Sequence, residues 1–248
     1  MRVTVKDLTV RYGATEVIPG LDLVAEAGEV LAVIGPNGSG KSSLIKAIAG
    51  VMPHGGSIAF DGTPMRPSRI GYMPQDIAGR TALTVLETVL LGRLGRLGLR
   101  VGAADLDAVE AVLHDLGLMA LASRYLGELS GGQRQLVFLA QALASEPALL
   151  LLDEPISALD IRHQLAVMEI VLGATRERGL TTLVVLHDLN VAARFADAIA
   201  VMQRGCLVCH GSPAATIEPA MVASVFAVQA AMSMAPDGKP IMTPLRAL

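Results

Sequence analysis

The sequence feature that most constrains the fold is the stretch Val30–Ser43, VLAVIGPNGSGKSS. Five apolar residues, Val30–Ile34, predict a buried strand. The residues after them match G-x-x-x-x-G-K-[ST], the pattern of a glycine-rich loop between a strand and a helix. Small residues let successive backbone N–H groups curl around a phosphate, and the helix beginning near Ser42 adds the positive end of its dipole. An ordinary glycine-rich turn is the alternative, but the full pattern in this context predicts a nucleoside-triphosphate site.

Two side chains of this pattern have their own chemistry. Lys41 can reach the β- and γ-phosphates, and the Ser42 hydroxyl can ligate the Mg²⁺ that bridges them. The residues predicted to contact the nucleotide in this segment are Gly35, Pro36, Asn37, Gly38, Ser39, Gly40, Lys41, Ser42 and Ser43.

Composition decides between a membrane-spanning and a globular chain. The 248 residues are 52% hydrophobic and 17% charged, and the mean hydropathy is +0.52. Even so, no stretch approaches the ~18–20 uncharged apolar residues that span a bilayer. Short runs such as Leu149–Leu152 and Leu183–Leu186 instead predict strands buried on both faces of a parallel sheet. The N-terminus has no signal-peptide h-region, which predicts a cytoplasmic chain. A net charge of −3 with scattered arginines gives no reason to propose nucleic acid as a partner.

Strands and helices alternate along most of the chain, which predicts a parallel sheet with a helical insert. Val3–Val10 is predicted to be a strand, and the insert includes helices at Thr84–Leu91 and Asp105–Leu116. The second helix carries its apolar stripe on Leu106, Val109, Leu113 and Leu116 and stops at Gly117. The glycine-rich repeat Leu91–Gly98 between them is predicted to be a helix end and a loop with solvated arginines.

The two cysteines form a C-x-x-C-H pattern, Cys206, Cys209 and His210, which is the spacing of c-type haem attachment. The segment is predicted to be the return strand of a hairpin, following the strand Ala198–Met202. Positions three apart on a regular strand point to opposite faces, so the two sulfurs are expected to diverge. Haem attachment also belongs to exported proteins. Both are therefore predicted to be incidental strand cysteines, with haem or metal binding as the alternative.

The segment 129–133, LSGGQ, completes a resemblance to the ATPase subunit of ATP-binding-cassette (ABC) transporters. The resemblance covers nearly the whole chain, because seven elements stand in the family's order. These are Tyr12, the phosphate loop at 35–42, Gln75, the signature at 129–133, LLLLDEP at 149–155, SALD at 157–160 and His187.

The resemblance implies an α/β fold, a P-loop NTPase of ABC type. Such a fold has a mostly parallel sheet core, an N-terminal antiparallel β part and a helical subdomain insert. The chain is then a single nucleotide-binding domain over residues 1–248. Its core comprises about 1–75 and 146–248, and its helical subdomain about 76–145.

The resemblance also implies roles for the matched residues, with ATP and Mg²⁺ as cofactors. Tyr12 would stack on adenine, and His187 would contact the γ-phosphate beside Lys41. Asp153, at the carboxyl end of a strand beside the phosphate loop, would hold Mg²⁺. Glu154 would be the general base that polarises the attacking water. Gln75 would sense Mg²⁺ or the water and face a transmembrane partner.

The signature implies a second copy of the chain. Ser130, Gly131, Gly132 and Gln133 form a second helix N-terminus suited to an anion. In this family it covers the γ-phosphate bound to the partner subunit's Lys41, and Asp160 of SALD is counted among the nucleotide contacts. One copy of each motif therefore implies a homodimer with two ATP sites.

One cassette without a membrane span favours an importer subunit. It would lie peripherally at the cytoplasmic face of the inner membrane, on two transmembrane permease subunits, with a substrate-binding protein as an indirect partner. Four segments resemble the iron-siderophore, haem and cobalamin branch. They are LTVLETVLLGRL at 83–94, LDIRHQL at 159–165, HDLNVAARFAD at 187–197 and the ending VFAV…GKPIMTP.

Three features depart from that branch: Ala227 replaces the usual glycine, Gly56–Arg69 is short, and the cysteine pair is atypical. Zinc or manganese importers are the nearest rivals. A soluble, non-transport ABC ATPase switch is the alternative from a different class.

Overall fold

The structure is a computed structural model that describes residues 1–67, 69–75, 82–93 and 101–248. Part of the predicted glycine-rich loop, residues 94–98, and the start of the predicted insert, 76–81, lie outside these ranges. The strands are β1 (Val3–Tyr12), β2 (Thr15–Pro19), β3 (Leu23–Ala25), β4 (Val30–Ile34), β5 (Gly55–Phe60), β6 (Ile70–Met73), β7 (Leu149–Asp153), β8 (Thr181–Val185), β9 (Ala198–Gln203), β10 (Cys206–Gly211), β11 (Val228–Met234) and β12 (Pro240–Ala247). The helices are α1 (Lys41–Ala49), α2 (Val85–Leu91), α3 (Ala103–Asp115), α4 (Gly131–Ala144), α5 (Ile161–Arg178), α6 (Leu189–Phe195), α7 (Pro213–Thr216) and α8 (Pro219–Phe226).

The central sheet has six strands in the order β10-β9-β4-β8-β7-β6. All neighbours are parallel except β9 and β10. Every residue of β4, β7 and β8 is buried, which confirms the strands predicted from short apolar runs. Because these strands are parallel, their carboxyl ends share one edge of the sheet, and this edge holds the site.

A second, antiparallel sheet packs against one face of the central sheet. Strand β1 lies at its centre and pairs with β2, β3 and β5. Helix α1 is enclosed between the two sheets, with Leu44, Ile45 and Ile48 buried in the same apolar cluster as Leu8 of β1. The helix following the phosphate loop is therefore fixed on both sides.

The chain between β6 and β7 is helical in its described residues, as α2, α3 and α4. Thr84 caps α2 by accepting the Glu87 N–H, and the Glu87 carboxylate accepts the Thr84 N–H in return. Three members of the predicted α3 stripe are buried, but Leu106 is 37% exposed. Across the described ranges, no helix combines the length and apolarity needed to cross a bilayer.

Arg93 corrects one prediction. The sequence predicts a solvated arginine here, but the Arg93 side chain is only 6% exposed. Its Nε donates to Asp105 Oδ1 at 2.7 Å, and its Nη1 donates to Glu146 Oε1 and to the Ala144 carbonyl, both at 3.1 Å. Asp105 lies in the first turn of α3, Ala144 ends α4 and Glu146 follows α4, so the guanidinium joins the end of α2 to both of these regions. A buried charge is tolerated here because it is paired and hydrogen-bonded.

A β-bulge corrects the prediction for the cysteines. Cys206 pairs with Gln203 and Cys209 with Val201, with a register shift between Leu207 and Cys209. Residues directly opposite each other share a face, and Gln203 and Val201 are two apart, so both cysteines lie on one face. The prediction that the two sulfurs diverge is therefore wrong. The extra residue of the bulge shifts the alternation by one, so that Cys206 and Cys209 lie on the same face of the strand. Both cysteines are free.

The cysteine hairpin is followed by the short helices α7 and α8. Helix α8 ends at Phe226 and is followed by Ala227 in the left-handed conformation, with φ 54° and ψ 41°. Strands β11 and β12 then form an antiparallel hairpin whose turn contains Asp237 and Gly238.

Candidate functional site

The phosphate loop is formed by close contacts that only glycine permits. A Cβ on Gly35, which has φ 149°, would lie 2.0 Å from the Met202 carbonyl oxygen of the neighbouring strand β9. Gly40 precedes α1 with φ 99°, in the region that glycine favours. The first helical hydrogen bond joins the Leu44 N–H to the Gly40 carbonyl, so the amides of residues 41–43 precede it. Such amides at a helix N-terminus are suited to bind a phosphate.

Lys41 lies inside this loop and is 5% exposed. Its Nζ donates to the carbonyl oxygens of Gly35 at 2.8 Å and Pro36 at 2.9 Å. Burial lowers the pKa of the Lys41 ammonium, and the nearby Glu154 and Asp153 carboxylates oppose that shift. The ammonium is therefore fixed among loop carbonyls, where a phosphate would be an additional anionic partner.

Asp153 ends β7 and is fully buried. Its Oδ1 accepts the Ser42 hydroxyl at 2.9 Å, while its Oδ2 has no hydrogen-bond partner among the described residues. Burial raises the pKa of the Asp153 carboxyl, and the neighbouring Glu154 carboxylate adds to that shift. The Ser42 hydrogen bond and two lysines oppose it, but the pKa stays above its ordinary value. An unpartnered carboxylate oxygen beside a hydroxyl is an oxygen donor set of the kind that Mg²⁺ takes. The residues therefore fit the predicted ion.

Glu154 follows Asp153 in a left-handed conformation, with φ 58°. Its Oε1 lies 2.6 Å from His187 Nε2, so when the carboxylate is ionised that nitrogen is the donor. Gln75, just beyond β6, and Glu154 line the same cavity as the phosphate loop. The structure thus brings together the four residues predicted at the ends of β6, β7 and β8: Gln75, Asp153, Glu154 and His187.

The signature residues lie at a different cavity. Ser130 caps α4 by accepting the Gln133 N–H at 3.2 Å, and the Gln133 side chain accepts the Ser130 N–H at 3.0 Å. Ser130, Gly131, Gly132 and Gln133 line a cavity with Asp160, and none of them lines the phosphate-loop cavity. Asp160 itself caps α5 through the His163 N–H at 2.9 Å. One chain therefore presents two separate surfaces, each with residues predicted to contact nucleotide.

Two residues at the site belong to none of the predicted motifs, and one predicted residue lies outside the phosphate-loop cavity. Val17 of β2 lines the phosphate-loop cavity, whereas the predicted Tyr12 does not line it and is 47% exposed at the end of β1. Gln135 of α4 reaches the main chain of Glu154, a contact that only the folded chain reveals because the two are distant in sequence.

Comparison with known proteins gives concordant matches. The sequence profile of the family described as "ABC transporter" matches residues 18–157. The hemin import ATP-binding protein HmuV of Myxococcus xanthus (strain DK1622) is 41% identical over 246 residues, which cover 92% of this chain and 91% of that protein. A metal-chelate type ABC transporter in an inward-facing conformation has a TM-score of 0.84 at 27% identity, covering 98% of this chain and 97% of that one. A dimeric ATP-binding cassette in a post-hydrolysis state, bound to ADP and Pi, has a TM-score of 0.77 at 28% identity, covering 85% and 98%.

These matches agree with the geometry of the site. The profile spans both the phosphate loop and the Asp153-Glu154 pair. The predicted α/β fold, a P-loop NTPase of ABC type with a parallel-dominated sheet and an antiparallel β part, is confirmed. The chain belongs to the ABC transporter family and is a nucleotide-binding ATPase of that family.

Proposed function

We propose that this chain is the ATP-hydrolysing subunit of an importer for a metal chelate: an iron-siderophore, haem or cobalamin. The observation that carries the catalytic part is the set of groups at the carboxyl edge of the sheet. Ser42 is hydrogen-bonded to Asp153, and Glu154 lies in the cavity of the phosphate loop. The cargo class is supported by the names of relatives, which include hemin import ATP-binding proteins and a metal-chelate type transporter.

In this proposal the triphosphate is bound by the loop amides and Lys41. Ser42 and Asp153 would hold Mg²⁺, with Gln75 nearby, and the bound ion would neutralise charge on the phosphate oxygens. Glu154 would accept a proton from the attacking water. The 2.6 Å contact with His187 orients the Glu154 carboxylate, and His187 would turn to the γ-phosphate when ATP binds.

A homodimer follows from the two separate surfaces of one chain. The cavity of Ser130–Gln133 does not include the phosphate loop, so a head-to-tail partner would be needed to bring both onto one nucleotide. The fold match to a dimeric cassette supports this arrangement. Two transmembrane permease subunits would dock near Gln75, at the cytoplasmic face of the inner membrane. A substrate-binding protein would deliver the cargo to them.

The biochemical test uses Glu154→Gln, which keeps the size of the side chain but removes its basicity. We expect ATP binding to persist and hydrolysis to fall by ~10²–10⁴, the usual effect of losing a general base. Light scattering should show monomers becoming dimers with saturating ATP and Mg²⁺. Near-normal turnover would refute the role of Glu154, and an unchanged mass would refute the ATP-driven homodimer.

The cellular test measures uptake of labelled ferric chelate, haem, cobalamin, zinc and manganese. Cells carrying the intact chain are compared with cells carrying Lys41→Ala, and Lys6→Ala is the matched control because Lys6 is an exposed lysine of β1. Loss of one of the first three cargoes would identify it. Loss of zinc or manganese alone would assign the chain to the rival branch. No loss would favour the soluble switch.

A further inference from the structure

A buried side chain of α4 is hydrogen-bonded to the start of the segment that follows β7. Gln135 is 7% exposed, and its Nε2 donates to the Glu154 carbonyl oxygen at 2.5 Å and to Ser157 Oγ at 3.2 Å. Its Oε1 accepts the Ala158 N–H at 3.2 Å. Among the described residues, the partners of this side-chain amide all lie between residues 154 and 158.

A second contact joins the same two elements. A Cβ placed on Gly132, in the first turn of α4, would lie 3.1 Å from the Ala158 carbonyl oxygen and 2.9 Å from Leu159 Cδ2. The N-terminus of α4 therefore packs directly on the segment that runs from Glu154 towards Asp160. The Gln135 hydrogen bonds lie about one helical turn further along α4, so the contact is continuous.

The conformation of Glu154 explains why this contact matters. A glutamate with φ 58° is in a region that L-residues avoid, and it stays there only when its surroundings hold it. The Glu154 carbonyl also accepts the Ser157 hydroxyl at 3.2 Å and the Ser157 N–H at 3.4 Å, but the Gln135 bond is much shorter. Rotating this peptide group would move the carboxylate away from His187 and from the phosphate-loop cavity.

We propose that Gln135 is a positioning residue for ATP hydrolysis, which fixes the main chain of Glu154 and links it to the signature helix. The inference rests on the proposed role of Glu154 as the base. Ser130 caps the same helix that carries Gln135. A nucleotide that contacts the signature of one chain would therefore affect the position of Glu154 in that same chain. In the dimer, the nucleotide bound to the partner's phosphate loop would in this way influence hydrolysis at the other site.

The test compares Gln135→Glu, which keeps the acceptor but loses the donors, with Gln135→Met, which loses both. Gln141→Met, further along α4, is the matched control. We expect both Gln135 variants to lower kcat by about tenfold or more with KM for ATP nearly unchanged, since only the positioning of the base is lost. The melting temperature of each variant is measured so that only folded protein is compared. An unchanged kcat, or an equal loss in Gln141→Met, would overturn the proposal.

A double-mutant cycle separates positioning from general damage. In single-turnover hydrolysis, Gln135→Met should cost little more in the Glu154→Gln background, because the group through which it acts is already absent. A full, additive loss in that background would overturn the inference. If Glu154→Gln alone hydrolyses ATP normally, the proposed function fails instead, so the two failures are distinguishable.

Discussion

Neutralising Asp153 should stabilise the protein in the absence of Mg²⁺ and nucleotide. Asp153 is fully buried, and only its Oδ1 is hydrogen-bonded within the described residues. Asp153→Asn preserves the side chain's shape and the acceptor for Ser42 while removing the charge. The Asp153 carboxylate should therefore lower the free energy of unfolding when no Mg²⁺ is bound.

The magnitude follows from the unpartnered oxygen. A buried polar atom without a partner costs ~1–3 kcal/mol, and a charged one costs more. The asparagine N–H₂ group is also buried at this position, but it is neutral, so a net gain of about 1–2 kcal/mol is expected. For a chain of 248 residues, each kcal/mol shifts Tm by about 2–4 °C. We therefore expect Tm to rise by ~2–8 °C.

The sign of the pH dependence can be checked in the same variant. Burial raises the folded-state pKa of the Asp153 carboxyl above its ordinary value, so the neutral form is favoured in the folded state. The associated stability is fully present below the unfolded pKa and is lost as the pH rises through the folded pKa. The advantage of Asp153→Asn should therefore be full at neutral pH and shrink towards pH ~4, where the wild-type carboxyl is protonated.

The assay is thermal unfolding in EDTA, followed by unfolding with ATP and Mg²⁺. Ligand binding should reverse the order, because the wild type gains ~2.7 kcal/mol at one hundred times Kd while the variant binds the ion poorly. Asp197→Asn is the control: Asp197 accepts the Val30 N–H and the Arg176 guanidinium, both at 2.9 Å, so its neutralisation should lower Tm. A lower Tm for Asp153→Asn in EDTA at neutral pH would refute the reasoning.

Two further predictions concern stability away from the site. Ala227→Gly should raise the free energy of unfolding by about 0.5–1 kcal/mol in chemical denaturation, because φ 54° suits glycine. Ala223→Gly inside α8 should lower it by a similar amount, and equal signs would contradict the strain argument. Arg93→Met should cost about 1–3 kcal/mol, since the hydrogen bonds of the guanidinium to Asp105, Glu146 and the Ala144 carbonyl are lost. The exposed Arg124→Met should change little, and a similar loss in both would show that the charge pairing of Arg93 is not what stabilises the fold.

The sequence predicts the structure correctly where the residue types needed for a function also determine the local backbone. The phosphate loop needs its glycines because Gly35 lies against Met202 and Gly40 has positive φ, so the motif predicts the backbone directly. The parallel strands were predictable because full burial on both faces requires continuous apolar runs such as Leu149–Leu152. The edge residues Asp153 and His187 could be placed together because parallel strands end on one side.

The sequence was insufficient where the outcome depends on tertiary partners. Arg93 has a glycine-rich neighbourhood that suggests exposure, yet acceptors from α3 and α4 allow it to be buried. The cysteines face one side because of a bulge, and no residue type marks that bulge in the sequence. Gln135 meets Glu154 only through the packing of α4 on the segment after β7. Each of these three features depends on contacts with residues of another element or segment. The spacing of apolar residues along the chain does not predict such contacts.

Three departures from ordinary stability rules meet at the proposed site. Lys41 is buried with a lowered pKa, Asp153 has an unpartnered oxygen, and Glu154 has a left-handed backbone; all three lie at the carboxyl edge of one sheet. Each would be selected against in a residue that served folding alone. A triphosphate with its cation would supply an anion to Lys41 and a cation to Asp153, and so would complement both groups. Positive φ also occurs in five other described non-glycine residues, and none of them lines the phosphate-loop cavity: Asp7, Asp61, Glu146, Arg204 and Ala227. A left-handed backbone alone therefore does not mark the chemistry, and we assign that of Ala227 to the C-terminal cap of α8.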